Sequence, residues 1–494
     1  MKRKFSDQEL VRREKLNTLK EKGVNPWGER FVRTHTTKMI LEYGENKTKE
    51  QLEETPYEVK LAGRLMFIRN MGKAAFANIR DQEGDVQLFI TKNNVGDDVF
   101  EIFKLADLGD IIGVEGVLFR TKTNELTVRV LKYTHLVKSL HPLPEKYHGL
   151  TDIEERYRRR YVDLMVNEEA RNIAFARPAI IKGIRNFMDD LGYVEVDTPV
   201  LSSILGGANA RPFITHHNTL DKDFYLRIAT EIPLKKLLVG GMEKVYEIGR
   251  LFRNEGMDTT HNPEFTTMEA YLAYGDIEDM YELAEELIRD LAVNVIGKTK
   301  YVWNGEEIDV EPKFRKVHMV DLIKEETGID FWQHYTFEEA KKLAEQHEIK
   351  VEPHFTVGHI INEFFEEYCE AKLIQPTFVY GHPIEITPLA KKSDDPRFTL
   401  RFELFICGAE IANAYSELND PLDQRERFEE QLRARELGDE EANELDEEFL
   451  NALEYGMPPS GGIGIGIDRL VMFLTEQNSI REVILFPTMR PLKG

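Results

Sequence analysis

Arg253 and Glu255 stand one residue apart, and after a loop at about residues 256–262 the side chains Phe265, Thr267, Glu269 and Tyr271 recur at every second position. If the flanks of that loop are strands, period two puts Arg253 and Glu255 on one face and the other four on one face of the return strand. The product is a pocket lined by a guanidinium, carboxylates and an aromatic ring. Arg253 and Glu255 fit two readings at this point. One is an ion pair on a sheet surface, common and of little energetic consequence. The other is a planar fork for phosphate, which a guanidinium suits by bidentate geometry.

Glu403, Glu410, Asn413 and Glu417 interrupt an otherwise apolar strand pair within 401–420. Carboxylates in apolar surroundings resist ionisation unless a cation is supplied, so a divalent ion or a cationic substrate is expected there. Oxygen-only ligands suit magnesium, which keeps waters and leans on nucleotide phosphates. Parity opposes a single face, because Glu410 is even and the others odd; a bulge near Gly408 would restore it. Downstream, Gly461, Gly462, Gly464 and Gly466 lead into Asp468-Arg469-Leu470. This run is neither G-x-G-x-x-G nor G-x-x-x-x-G-K-[ST], so it supports neither a dinucleotide fingerprint nor a P-loop. Small residues let a ligand approach the backbone, and Arg469 begins a helix where phosphate charge is favoured.

Elements that could hold these groups are legible along the chain. Its 494 residues, 41% apolar and 31% charged, suit two or three domains with a large core. They argue against disorder, collagen-like repeats or a disulfide scaffold. Cys369 and Cys407 fit no C-x-x-C spacing and point to a reducing compartment without a thiolate metal site. The charged start MKRKFSDQELVRREK holds no apolar signal core, and there is no run of about 18 apolar residues. A cytoplasmic protein without membrane attachment is expected. Net charge is −23, yet residues 1–40 carry eleven Lys and Arg against five Asp and Glu. A basic arm on an acidic body suits a partner held locally; a solvated surface helix is the plainer reading.

The capping box Ser6-x-x-Glu9 predicts a basic amphipathic helix with Val11, Leu16 and Leu19 inward among Arg12, Arg13, Lys15 and Lys20. From residue 57 the period becomes two, predicting strands at 57–68, 73–80, 84–91, 109–120 and 124–137 with a helical stretch between the third and fourth. That βββαββ order is the order of an oligonucleotide-binding barrel. Pro142 and Pro144 end it. A short helix follows over 153–166, then a helix carrying Ile173, Ile180, Ile184 and Met188, restarting with Pro178 near its first turn. A strand over 192–201 is stopped by Pro199, and 276–293, 337–372 and 421–455 read as helical. Seven acids in 439–448 read as a solvated helix face.

Together the strand stopped by Pro199 and the three polar stretches resemble the motifs of the class II aminoacyl-tRNA synthetases: a first ending at Pro199, a second as F-R-x-E…H-x-x-x-F, a third as G-x-G-x-D-R. The segments GGANARPFITHHN (206–218), RNEGMDTTHNPEFT (253–266), YGHPIEITPLAKK (380–392) and SELNDP (416–421) resemble the bacterial lysyl-tRNA synthetases, and the resemblance covers nearly the whole chain. It implies an α+β fold: an N-terminal OB-fold β-barrel, then a catalytic domain with an antiparallel sheet of six or more strands flanked by helices. The implied domains are 1–55 (basic helical extension), 56–142 (anticodon-binding barrel), 143–168 (linker) and 169–494 (catalytic). It further implies activation of L-lysine by ATP with about two to three magnesium ions, transfer to tRNA(Lys), and a homodimer built partly by 192–201.

The same resemblance assigns roles. Arg253 and Arg469 would be catalytic, neutralising the α- and γ-phosphates. Glu255 would read the adenine amino group, Phe265 would stack on the ring, His261 and Asn262 would face the nucleotide, and Glu403 and Gly466 would complete the ATP site. Glu403 and Glu410 would hold magnesium. Gly207, Ala229, Glu231, Arg253, Glu269, Tyr271, Asn413 and Glu417 would form the lysine site, with Glu417 and Tyr271 on the ε-ammonium and Glu231 on the α-ammonium. Arg69, Phe76 and Gln87 would meet the anticodon, by stacking and base-edge hydrogen bonds. The chain departs from the family pattern at Thr230, where relatives often have Pro or a larger residue, and at Ala409, where they often have Arg.

Three neighbouring readings are weighed against this one. An aspartate- or asparagine-charging enzyme would need a cation where Glu417 stands, and apart from Arg253 no residue matched to the pocket is Lys or Arg. Lysine-activating relatives that modify a protein lack the barrel. A noncatalytic paralogue would have lost Arg253, Glu403, Glu410 or Arg469. Class I chemistry is excluded, because Val357-Gly358-His359-Ile360 is not H-I-G-H and Lys391-Lys392-Ser393 is not K-M-S-K-S.

Overall fold

The computed structural model describes residues 4–144, 150, 152–204, 206–207, 210–436 and 445–492. Most of the acid run in 439–448, and Ala208 and Asn209 of the 206–218 segment, lie outside them. Contacts divide the chain into two compact units, Met1–Leu150 and Thr151–Gly494.

In the first unit β1 (Glu58–Asn70), β2 (Ala74–Arg80), β3 (Asp85–Thr91), β4 (Ile111–Arg120) and β5 (Leu126–Val137) close a barrel in the order β1-β2-β3-β5-β4. Alternation fixes which side chains fill it: Ala75, Ala77 and Ile79 on β2 and Leu88 and Ile90 on β3 are fully buried. Phe100 and Phe103, from the helix Asp97–Phe103 between β3 and β4, add to that core.

Helix α1 (Asp7–Glu21) begins with the Ser6–Glu9 capping box. Its inward face differs from the expected one. Leu16 and Leu19 are buried, but Val11 is exposed and Arg12 is buried in its place. The physical reason is a row of polar groups on the facing surface. The Arg12 guanidinium donates to the carbonyls of Ser139 and Leu108 at 3.0 and 2.9 Å, and Lys15 pairs with Asp107 at 2.5 Å. Asp107 and Asp110 in turn hold the fully buried Lys138.

The second unit is built on an eight-stranded sheet. Its strands are β6 (Val194–Glu195), β7 (Lys244–Phe252), β8 (Glu264–Ala273), β9 (Arg315–His318), β10 (Thr377–Tyr380), β11 (Arg401–Ile406), β12 (Ala409–Ser416) and β13 (Ser460–Gly466), in the order β9-β10-β11-β12-β13-β8-β7-β6. The β9–β10 and β7–β6 pairs are parallel and the others antiparallel. One face is covered by α2 (Glu168–Asp190), α4 (Ile277–Asp290) and α5 (Ile467–Leu474), α3 being Glu231–Val239. Ile184, Met188, Met280, Leu287, Ile463, Ile465 and Val471 form that core. Ile463 and Ile465 alternate with Gly462, Gly464 and Gly466, so the opposite face of β13 carries no side chain and leaves room for a cavity.

Four local expectations change. Helix α2 runs unbroken through Pro178. The lost amide bond is outweighed by burial of Ile173 before the proline and Ile180, Ile184 and Met188 after it. The 192–201 segment forms two short strands, Val194–Glu195 and Leu201–Ser202, because Pro199 cannot donate to a ladder. The 337–372 region splits into Phe337–Gln346 and Val357–Tyr368, with Glu348 at φ 60° and Pro353 between them. The bulge that aligns the acidic residues lies at Ile411, not Gly408: Leu404 pairs with Ala412 and Phe405 with Glu410, leaving Ile411 unpaired. Cys407 and Gly408, at φ 51° and 70°, make the tight hairpin turn instead.

Candidate active site

Above the glycine face of β13 lies a cavity of about 480 Å³, within the range of small-molecule sites. Strand register organises its floor in two rows. Glu403, Asn413, Gly464 and Glu269 are paired across β11, β12, β13 and β8. Arg401, Tyr415, Gly462 and Tyr271 form the adjacent row. All the residues matched above to ATP, lysine or magnesium line this cavity, including Gly207, Ala229, Gly466 and Arg469.

One end is acidic and buried. Glu231 opens α3, Glu269 and Tyr271 project from β8, and Glu417 follows β12; all are buried. Thr230 N–H donates to Glu269 Oε1 at 3.0 Å, a bond that proline at this position could not make. The Tyr271 hydroxyl donates to Glu269 Oε2 at 3.2 Å. Burial pushes the Glu269 carboxyl up to about 7. Glu417 goes up to about 8: burial is the main cause, Glu231 and Glu269 add to it, and Lys235 opposes it. Glu417 Oε1 has no hydrogen-bond partner among the described residues. A side chain at Gly462 would collide with that oxygen and with the Tyr271 ring, so this glycine keeps the end open.

The other end is basic and more exposed. Arg253 and Glu255 lie just beyond β7, in the loop rather than on a strand face. The strand stops at Phe252, although Arg253 N–H still reaches Pro263 O at 2.8 Å. The Arg253 guanidinium sits 5.1 Å from the Phe265 ring centre, and its Nε is unpaired among the described residues. His261 is exposed, held by Asp258 through Nδ1 and lying 3.3 Å from Arg469 through Nε2. Arg469, in the first turn of α5, donates to Glu410 O at 2.9 Å. Asn262 uses its amide to bind Glu264 O and Thr488 N–H, and so fastens the loop as well as lining the cavity.

Between the ends stand the two carboxylates matched to magnesium. Against the opposing effect of burial, Arg401 and His382 hold the Glu403 carboxyl down at about 2, through contacts of 2.5 and 3.2 Å. Burial and the neighbouring Glu403 push Glu410 upward. Two adjacent carboxylates of which one is destabilised by the other suit a shared cation. Among the described residues no group of three or more His, Cys, Asp or Glu could hold a metal, so a magnesium ion here would take its remaining ligands from phosphate and water.

Two charged residues escaped the sequence reading, which placed no Lys or Arg in the amino-acid pocket other than Arg253. Arg401 lines the cavity and donates to Glu403 and to Asn413 Oδ1; its parity with Glu403 was the available signal. Lys235 lies behind the acidic end, 2.6 Å from Glu231 and 2.5 Å from Glu417. Its signal was the Glu-to-Lys spacing of four on a helix.

On the barrel, Arg69, Phe76 and Phe89 are register partners across β1, β2 and β3, and Gln87 pairs with Asn78 and Thr127. Directly paired residues share a face, and Phe76 and Gln87 alternate with the buried residues, so these side chains lie on the outer surface. Phe76 and Phe89 are 4.8 Å apart, Phe119 continues the row, and Arg129 lies 4.7 Å over Phe119. Phe89, Phe119 and Arg129 were not singled out from sequence. The Gln87 carbonyl accepts from Thr127 at 2.8 Å.

Residues 152–490 match the family model for class II tRNA synthetases (D, K and N), and residues 59–136 match that for the OB-fold nucleic acid binding domain. The chain is 57% identical to the lysine–tRNA ligase of Enterococcus faecalis over 487 residues, covering 98% of each chain. It is 56% identical to that of Bacillus subtilis over 487 residues, again 98% of each. With that of Lactococcus lactis subsp. cremoris it shares 58% over 488 residues, 98% of this chain and 99% of the relative.

Proposed function

The chain belongs to the class II tRNA synthetases of the D, K and N group, within them to the lysine–tRNA ligases, and from that premise we propose how its residues divide the work. The reaction has two steps. The lysine carboxylate attacks the α-phosphorus of ATP, forming lysyl-adenylate as pyrophosphate leaves. A ribose hydroxyl of the terminal adenosine of tRNA(Lys) then attacks the adenylate carbonyl, and AMP leaves. Neither step needs a nucleophilic side chain; positioning and charge stabilisation carry both.

The observation that carries this assignment is one cavity with buried carboxylates at one end and guanidinium groups at the other. Glu417 and Tyr271 take the ε-ammonium, with Glu269 holding Tyr271, and Glu231 takes the α-ammonium beside Gly207 and Ala229. An amino acid without the distal amine leaves Glu417 Oε1 buried without a partner, which disfavours neutral side chains strongly. Arg253 balances the charge that builds on the α-phosphate, Arg469 holds the γ-phosphate, and Phe265 and Glu255 receive the adenine. His261, Asn262 and Gly466 shape the nucleotide end. Glu403 and Glu410 would hold magnesium, about two to three ions with ATP, which when bound supplies charge neutralisation to the phosphates.

The outer barrel face with Arg69, Phe76 and Gln87 reads anticodon bases, Phe76 and Phe89 giving a stacking surface and Gln87 an amide for a base edge. The protein works as a homodimer in the cytoplasm. Exposed Val194, Val200 and Leu201 support a subunit interface at the 192–201 segment, and no described helix is long and apolar enough to cross a membrane. Sedimentation at micromolar concentration should give twice 57.3 kDa; a monomer would overturn the dimer. ATP–pyrophosphate exchange with each standard amino acid offered singly tests the substrate. Exchange with lysine alone is expected, and exchange with aspartate or asparagine would sink the pocket assignment.

A further inference from the structure

Lys235 is fully buried one helical turn after Glu231, yet it does not line the cavity. Its Nζ reaches carboxylates from two different elements, Glu231 Oε1 on α3 at 2.6 Å and Glu417 Oε2 after β12 at 2.5 Å, and it lies 3.5 Å from Leu389 O. The contacts with Glu231 and Leu389 are hydrogen bonds, and the contact with Glu417 is an ion pair. A helix-surface pair would account for Glu231 alone; it gives no reason for the second carboxylate, brought in from a distant part of the chain. One oxygen of Glu417 is thereby fixed, and the other, Oε1, is left without a partner beside Tyr271 and the open face of Gly462.

We propose that Lys235 is a positioning residue: by clamping one oxygen of Glu231 and one of Glu417 it sets the spacing of the two carboxylates that read the two ammonium groups of the substrate. The enzyme therefore measures the length of the diamino acid. The inference rests on the assignment of Glu231 and Glu417 made above. Its physical basis is charge and geometry together. Without Lys235, the carboxylates of Glu231, Glu269 and Glu417 would face one another in a desolvated space and repel. With it, both reading carboxylates are partly neutralised and oriented before substrate arrives, so less binding energy goes into arranging them.

The groups facing Glu417 are Lys235 and Glu231 from α3, Glu269 and Tyr271 from β8, and Tyr415 from β12. Lys235 is the one that pulls Glu417 downward among the causes that set its titration, so its loss moves Glu417 further up.

The test uses the full-length protein and pyrophosphate exchange, comparing wild type, Lys235→Met, Lys235→Arg, Glu417→Gln and the double variant Lys235→Met/Glu417→Gln. For Lys235→Met the KM for lysine should rise about tenfold or more while the KM for ATP stays within about twofold, and the lysine KM should improve only at more alkaline pH than in wild type. Preference for lysine over ornithine should fall. The double variant should lose less than the two single losses combined, because part of the Lys235 effect runs through Glu417 and only the part through Glu231 remains. Should Lys235→Met fail to fold, Lys235→Arg keeps the charge but changes the spacing, and it should lose selectivity for lysine over ornithine with an unshifted pH profile. Parallel increases in both KM values, or unchanged selectivity in Lys235→Met or Lys235→Arg, would overturn the proposal. If Glu417→Gln leaves the lysine KM untouched, the pocket assignment itself has failed; if Glu417→Gln raises it and Lys235→Met does not, only the clamp has.

Discussion

At one end of the cavity Glu231, Glu269, Tyr271 and Glu417 are buried and linked to Thr230, Lys235 or one another; at the other Glu255 and His261 are exposed, and Arg253 and Arg469 are only partly covered. The first end comes from strand rows and the start of a helix. The second is assembled from a loop, the N-terminus of α5 and the hairpin of β11 and β12. The difference follows from what each end must do. Selecting one amine among many amino acids requires buried groups whose desolvation makes a missing partner costly. Handling a triphosphate requires cations that stay charged and can follow a charge that moves during reaction.

The largest effect that could break this division is at Arg253. Arg253→Gln should lower kcat for pyrophosphate exchange about 10²–10³-fold with the lysine KM nearly unchanged. A change confined to the lysine KM would mean that the two ends are not separate in function.

The pH dependence sharpens the acidic end. Even with Lys235 beside it the Glu417 carboxyl is raised to about 8, so it is incompletely ionised near neutral pH, whereas a lysine amine stays charged to about 10. Ammonium binding favours the ionised carboxylate and so releases a proton. The lysine KM should fall as pH rises from about 7 to 8, by at most about tenfold per unit, and then level off; the KM for ATP should not follow it. A flat lysine profile would remove Glu417 from the recognition of charge.

Smaller effects separate the remaining surfaces. Phe265→Ala should raise the KM for ATP about tenfold by loss of base stacking, leaving the lysine KM unchanged in the same titrations. Phe76→Ala on the barrel should raise the KM for tRNA several-fold, within about 1–3 kcal/mol, and leave pyrophosphate exchange as in wild type; a change in exchange would contradict the assignment of that face to tRNA alone.

The sequence was most informative where one period ran without interruption. Alternation in the barrel gave its five strands to within a few residues, and the positions of Phe265, Glu269 and Tyr271 on one face followed from the same rule. It was least informative where tertiary partners override a local pattern. Arg12 takes the inward position of an amphipathic helix because carbonyls at Leu108 and Ser139 await it, and Pro178 passes inside α2 because both flanks are packed. The Ile411 bulge could not be located from parity, since any nearby extra residue repairs the register equally. Lys235 was hidden for a related reason. Its pairing with Glu231 is local, but the contact that gives it meaning, with Glu417, joins residues far apart in the chain.

The most direct test of the buried acidic end is calorimetric titration of Glu417→Gln with lysine and, separately, with ATP in magnesium. Loss of a charge-assisted contact in a buried site predicts lysine affinity reduced by about 10- to 100-fold, with ATP affinity unchanged. Undiminished lysine binding, or an equal loss for both ligands, would contradict the account.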